Sequence, residues 1–307
     1  MTQTTLKVSV VIPTFNRCGS LLTLLGSLTT QSLPGNIKYL EVVVSIDGST
    51  DGTVDALVNI QNSYLFPLKI VSGTNRGRAV ARNEGVKAAS GDLLVFFDDD
   101  VRPNRDSIKR IVDFHSANSD CILDGPVLYD LKENSGDFQR FRSEMETSWY
   151  VNSEKPIIKK TSSITGGNWS IPKDLFFKIG GLDPEMHDSE DFEFGFRAVH
   201  KFNIKMFQDY RTWVYHDDNK DLINYLNRMV NAYSSWGYLF EKHPDVLIYY
   251  CDKFKYRPAA WKKAVYFIFK LNAVRSIVDS KLFVKTVPIN LRNMVYRICL
   301  TAIKPTA

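Results

Sequence analysis

Residues 93–101 read Leu-Leu-Val-Phe-Phe-Asp-Asp-Asp-Val: five apolar residues without a break, then three carboxylates. A run that short and that apolar is expected as a strand buried on both faces, as in the interior of a parallel sheet. The carboxylates then fall at its C-terminal end, the edge where open α/β sheets bind ligands. Three adjacent negative side chains repel one another, and a divalent cation, which prefers carboxylate oxygens, is the natural offset. If the chain stays extended, Asp98 and Asp100 point to one side and Asp99 to the other. The alternative is an acidic turn in solvent.

The rest of the first hundred residues has the same grammar. Residues 7–13, 40–46 and 68–71 are β-branched or apolar runs, and each ends in polar or turn-forming residues. Between them, residues 16–32 carry Leu21, Leu24, Leu25 and Leu28 at helical spacing. A second helix is expected to reach Asn62, with Ser49, Thr50 or Asp51 as N-cap. A third covers 78–89 and is closed by Gly91. Strands alternating with helices imply βαβ units and a mostly parallel, Rossmann-like sheet flanked by helices. Polar groups then gather on one edge: Thr14, Asn16 and Arg17; Asp47; Arg76 and Arg78; Asp98 and Asp100. There is no GxGxxG after the first strand and no P-loop lysine motif, which removes most support for hydride transfer on a Rossmann dinucleotide site and for P-loop phosphoryl transfer.

At 307 residues the chain is long enough for a large core without staples. Cys18, Cys121, Cys251 and Cys299 form no metal or disulfide pattern, which suggests a reducing compartment. Residues 1–5 are polar and lack signal-peptide character, and no stretch approaches a membrane span, so a cytoplasmic chain is expected. The net charge of +5 is unevenly placed. From Lys253 onward there are 12 Lys and Arg against Asp279 alone, leaving the remainder mildly acidic.

Four segments in order, 8–17 (VSVVIPTFNR), 43–53 (VVSIDGSTDGT), 75–85 (NRGRAVARNEG) and 91–100 (GDLLVFFDDD), resemble the N-terminal half of a family 2 glycosyltransferase with the GT-A fold. Residues 165–183 resemble that family's acceptor-side segment, and 189–197 (SEDFEFGFR) its ED motif. The resemblance covers about residues 7–245: a nucleotide-binding half over 1–102, an acceptor-binding half over 103–245, and a basic, aromatic helical tail over 246–307. It implies an inverting transferase that moves a sugar from a nucleotide-diphosphate sugar to a carbohydrate or lipid-linked glycan acceptor, in polysaccharide or glycolipid assembly. No nucleic-acid partner is expected.

By the same resemblance, Asp98 meets the ribose and Asp100 the metal, Mn2+ or Mg2+, with Asp99 between them. His216 matches a further metal or diphosphate contact, or is simply a strand-end histidine. Asp47 is placed near base and ribose, or is a turn cap. Thr14 lies under the nucleobase, with the chain after Pro13 offering backbone groups and Asn16 and Arg17 beside it, and Arg82 with Asn83 matches the family's Ala-Arg-Asn element at a helix face near the cleft. Arg76 and Arg78 are candidates for charge-assisted bonds to phosphate. Gly166 and Gly167 allow close approach to a ligand, with Asn168 and Trp169 as candidate donor or acceptor contacts. Glu190 and Asp191 match the ED motif, whose aspartate serves as base. They open an expected helix over 190–199 with Ser189 as N-cap.

Residues 221–243 read as one amphipathic helix ended by Pro244. Beyond Asp252, Tyr256, Trp261, Phe267 and Phe269 interleave with Lys253, Lys255, Arg257, Lys262, Lys263 and Lys270. That pattern suits an interfacial helix on anionic lipid, nucleic-acid binding, or a helical pair that packs on the enzyme body with a solvated basic face; of these, docking on the inner face of the membrane is the expectation. A chain ending near Asp252 is expected to keep its fold. Two other readings stay open: a sugar-nucleotide-forming nucleotidyltransferase, and a catalytically silent binding module.

Overall fold

A computed structural model describes residues 6–35, 37–159, 161–218, 220–250 and 258–304. They form two compact units: one of residues 1–130 and 147–217, the other of 131–146 and 218–307. The helix after Asp221, which the sequence reading grouped with residues 1–245, thus belongs to the second unit.

In the first unit the strands are β1 (Leu6–Thr14), β2 (Ile37–Asp47), β3 (Leu68–Gly73), β4 (Leu93–Phe97), β5 (Val101–Pro103), β6 (Cys121–Asp124), β7 (Val127–Leu128), β8 (Ile157–Ile158), β9 (Asn168–Pro172), β10 (Lys205–Gln208) and β11 (Val214–His216). The main sheet has the order β3-β2-β1-β4-β9-β6-β10-β8. Strands β3, β2, β1 and β4 are parallel, and β9 runs antiparallel to both β4 and β6. Strands β5, β11 and β7 make a separate small sheet, which no local pattern in the chain announces.

Strand alternation builds two apolar layers. Val8, Val10, Ile12, Val95 and Phe97 pack with Leu21, Leu24, Leu25 and Leu28 of the helix Cys18–Leu28 on one face. Val11, Leu94 and Phe96 pack on the other with Trp169, Phe176 and Phe194. Every residue of β4 is buried, as expected of a central strand covered on both sides. Phe96 stacks on Trp169 at 4.1 Å between centroids, an arrangement worth about 1 kcal/mol beyond its buried area. Trp169 is therefore core, not a ligand contact.

Several local expectations shift. The second helix spans Thr53–Gln61 with Gly52, at φ 82°, as N-cap, while Asp51 accepts from Thr53 N at 3.3 Å. The third ends on an extended Ala89, and Gly91 instead lets the chain lie against Ser9, where a Cβ would come within 2.6 Å. Ser189 sits at φ 63° and makes no side-chain cap. The helix after it is α only over Glu190–Phe196 and widens to a π turn over Arg197–Lys201.

The second unit is helical. Residues 221–243 form two helices, Leu222–Ser234 and Trp236–Lys242, the first capped by Asp221 accepting from Asn224 N. Helices Ala260–Lys270, Asn272–Val278, Lys281–Thr286 and Ile289–Ala302 follow. Tyr296, Cys299 and Val278 share one core with Phe138, Phe141 and Tyr225. Chain termination near Asp252 would remove Val278, Tyr296, Cys299 and Ile303 from that core. Cys251, Lys253, Lys255, Tyr256 and Arg257 lie outside the described residues. Among the described residues no helix is long and apolar enough to cross a membrane.

Candidate active site

The parallel register fixes what meets at the sheet edge. Val11 lies opposite Phe96, so three residues further on Thr14 comes level with Asp99, and its hydroxyl donates to Asp99 Oδ2 at 2.7 Å. The three carboxylates do not alternate as an extended chain would. Residues 99 and 100 form a turn, with Val101 N donating to Asp98 O at 3.4 Å. Asp99 and Asp100 consequently converge on one guanidinium: Arg17 Nη1 is 3.1 Å from Asp99 Oδ1 and also bonds Asp100 Oδ2. Asp98 turns the other way, to Arg82.

Arg82 is the hub of the far side. Its side chain is 2% exposed, and it donates to Asp98 Oδ1 and to Glu190 Oε1, each at 2.5 Å, and to Gly166 O at 3.3 Å. Arg78 joins Glu190 at 3.5 Å and Asp188 at 3.2 Å. Glu190 is buried, and both arginines meet its Oε1, so it anchors the two guanidinium groups. Arg82 likewise is committed to carboxylates and not to phosphate. Of the ED pair, Asp191 is the partly exposed one. Burial, then the Glu190 charge, push its carboxyl up to about 6 against the opposing pull of Arg82 and Arg78.

Two consecutive glycines join the halves. A Cβ on Gly166 would come within 2.7 Å of Asp191 Oδ2, and one on Gly167 within 3.1 Å of Asp98 Oδ2. The Gly-Gly backbone is thus a floor with Asp191 at one end and Asp98 at the other. Asp124 holds the loop that delivers it: buried at the end of β6, it accepts from Thr165 N at 2.6 Å and Lys159 Nζ at 2.5 Å. Neither Asp124 nor Lys159 was singled out in the sequence, because nothing in its pattern shows which strand end meets which loop. Asn168 is 1% exposed and donates to Pro126 O and Thr212 O, so it closes the floor from beneath instead of touching a ligand.

The nucleotide-side candidates divide in the same way. Asp47 accepts from Arg76 N at 2.7 Å and Gly77 N at 2.9 Å, which ties the loop after β3 to the end of β2. Asn16, at φ 51°, accepts from Thr50 N at 2.7 Å and links the first two loops. Pro13 is buried near the end of β1, just before the buried Thr14. The Arg76 side chain is over half exposed, near Glu84 at 3.7 Å.

His216 reaches Asp100 because β11 pairs with β5, setting His216 opposite Val101. Asp217 N donates to Asp100 O at 2.9 Å and locks the register. His216 Nε2 is then 3.2 Å from Asp100 Oδ1, close enough for an ion-pair contact but not aligned as a hydrogen bond, and Asp100 Oδ1 is a buried acceptor without a hydrogen-bond partner. Burial would raise the Asp100 carboxyl, but His216 and Arg17 outweigh it and hold it well below the usual range. Asp99 goes the other way, pushed up to about 6 by burial despite Thr14 and Arg17. An imidazole facing an unpartnered carboxylate oxygen is a donor set that fits a divalent cation. Among the described residues no group of three or more His, Cys, Asp or Glu is placed to hold a metal. The protein would supply two ligands, which suits a cation that takes the rest from phosphates and water.

The family model described as "Glycosyl transferase family 2" matches residues 9–180. A validoxylamine A glucosyltransferase of Streptomyces hygroscopicus subsp. jinggangensis is 27% identical over 231 residues, covering 67% of this chain and 54% of that protein. An uncharacterized glycosyltransferase of Haemophilus influenzae is 26% identical over 200 residues, covering 61% and 60%. The chain therefore spans little more than half the length of these relatives. Among solved structures, the Pyrobaculum calidifontis mannosyltransferase PcManGT in complex with GDP-Man and Mn2+ superposes with a TM-score of 0.59 at 17% identity, over 97% of this chain and 86% of that one. S. aureus TarS 1-349 in complex with UDP-GlcNAc gives 0.53 at 21% identity, over 75% and 66%. These last two show a shared GT-A fold.

Proposed function

The chain belongs to glycosyl transferase family 2, and from that premise we propose that it moves a sugar from a nucleotide-diphosphate sugar to an acceptor hydroxyl, with inversion at the anomeric carbon. The observation that carries this reading is the glycine floor, with Asp191 at one end and the Asp98–Asp100 turn at the other. Asp191 accepts the acceptor's proton as its oxygen attacks. A carboxyl raised to about 6 is ionised near neutral pH yet basic enough for that work. Attack from the Asp191 end, with the diphosphate leaving toward Asp100 and His216, is a single displacement and inverts the centre.

Asp98 and Asp47 are assigned to the ribose and base, Thr14 and Asn16 to shaping their seat, and Arg78 and Arg76 to the phosphate side. Arg82 and Glu190 are positioning residues that hold Asp98 and Asp191 in place. Asp100 and His216 would hold Mn2+ or Mg2+, which when bound supplies charge stabilisation to the leaving diphosphate. UDP- and GDP-sugars are the first donors to try, because the superposable TarS and PcManGT structures carry such donors.

The acceptor is assigned to carbohydrate or lipid-linked glycan, with the helical tail resting on an anionic membrane. Trp261, Phe267 and Leu282 are each over three-fifths exposed on helices rich in lysine, a combination that suits interfacial binding. The test is a donor screen that follows nucleoside diphosphate release with Mn2+, run on the parent chain and on Asp191→Asn. The variant should bind donor nucleotide as the parent does and lose transfer; normal turnover would remove the base assignment.

A further inference from the structure

The cation already resident in this site is an arginine. Arg17 Nη1 serves Asp99 and Asp100 together, while these two side chains are only 8% and 10% exposed. Arg17 itself is 42% exposed and stands just before the helix Cys18–Leu28, so only its side chain need move for it to leave. Among the described residues its Nε and Nη2 make no bond, which leaves two donor positions of the fork open toward solvent. Asp100 has Arg17 on Oδ2 and His216 Nε2 facing Oδ1. A divalent ion held by Asp100 and His216 would therefore share one buried carboxylate with a guanidinium. Like charges that close, in a poorly solvated place, oppose each other strongly.

We propose that Arg17 is an exchangeable counter-ion that keeps the metal site closed until a diphosphate arrives. Without nucleotide, its guanidinium neutralises the Asp99–Asp100 pair and weakens metal binding there. A diphosphate offers the fork a better, bidentate partner. Arg17 transfers to it, Asp100 is released, and the cation binds tightly. Nucleotide and metal are then positively coupled, each raising the other's affinity by the same factor. Arg17 acts through Asp100 and is a positioning residue. The inference rests on the assignment of Asp100 and His216 to a metal.

The experiment is titration of the full chain with Mn2+ alone, followed by electron paramagnetic resonance of free Mn2+, then repeated with UDP and with GDP. Arg17→Gln is expected to bind Mn2+ without nucleotide at least about tenfold more tightly than the parent, the effect of removing a unit charge beside the site. It is also expected to lose most of the enhancement by nucleotide, while Arg17→Lys stays near the parent. A folding defect would not raise metal affinity, so the gain separates this role from a structural one. Nucleotide-free Mn2+ affinity unchanged or weaker in Arg17→Gln, with Asp100→Asn abolishing binding, overturns the inference and leaves the metal assignment standing. Mn2+ affinity unmoved by Asp100→Asn removes both.

Discussion

Arg82→Met tests whether the hub at the far side of the site does what its geometry implies. Methionine fills much of the same space but deletes the bonds to Asp98 and Glu190, both at 2.5 Å. Breaking a buried ion pair by removing one partner costs about 3–5 kcal/mol. Two features pull this case to the low end. Arg78 stays 3.5 Å from Glu190, and the Asp98 side chain is 26% exposed and partly solvated. A loss of about 3 kcal/mol in a unit of this size lowers the melting temperature by about 6–12 °C. The chemistry should move as well. Arg82 is one of the two positive charges that hold Asp191 down. Without it the carboxyl rises further, and the acid limb of the pH–kcat/KM profile, placed at about 6 in the parent, shifts to higher pH. Scanning calorimetry and a donor-hydrolysis pH profile on the parent, Arg82→Met and Arg82→Lys would read both effects, with the lysine variant intermediate. A melting temperature within about 1 °C of the parent, or an acid limb at the same or lower pH, would refute the reasoning.

Three further outcomes follow from the fold. His115, buried with Nε2 2.9 Å from Ser170 Oγ, is pulled down to about 4 by burial. The unfolded imidazole protonates near 6.5 and the folded one resists until about 4. Stability should therefore fall by about 3 kcal/mol as pH drops through that window and be unaffected above it; urea titrations at pH 7.5 and 4.5 should show this slope reduced in His115→Gln. Gly195→Ala should destabilise by several degrees in a thermal melt, since the added Cβ would lie 2.0 Å from Ser162 O, a backbone atom that cannot step aside; an unchanged melt would contradict the packing of the Asp191 helix. Trp261→Ser with Lys262→Glu and Lys263→Glu should leave the circular dichroism spectrum intact and abolish co-sedimentation with phosphatidylglycerol vesicles; equal sedimentation would remove membrane docking from the proposal.

What the sequence revealed, and what it hid, divides by range. The parallel half was legible because a strand buried on both faces and a helix buried on one leave short-period patterns; residues 93–97 are the case in point. The grouping of Asp98, Asp100, Asp191 and His216 was legible only through the ordered motifs, since no local rule links residues a hundred positions apart. The alternation of the three carboxylates was misjudged because strand geometry was carried past the strand's end into a turn. Asn168, Trp169, Glu190 and Arg82 stand beside the site in the sequence pattern, and all four side chains are buried. They are polar or aromatic residues beside the site, and only packing distinguishes a wall from a lining. The pairing of the tail with the helix Asp137–Thr147 leaves no signature in a linear reading, because the two segments are far apart in the chain and each is amphipathic by itself.

The reversed direction of β9 has a consequence for how such a protein can change. A parallel strand in that place would bring its incoming connection to the edge opposite Asp98. Running backwards, β9 presents its point of entry, Gly166–Gly167, beside Asp98. Whatever sequence precedes those glycines is thereby delivered to the mouth of the cleft without crossing the sheet. Within that stretch the buried Ser162 and Ile164 are held by the core, so tolerance to change falls on the exposed residues further upstream, while the edge built from the first hundred residues keeps its register.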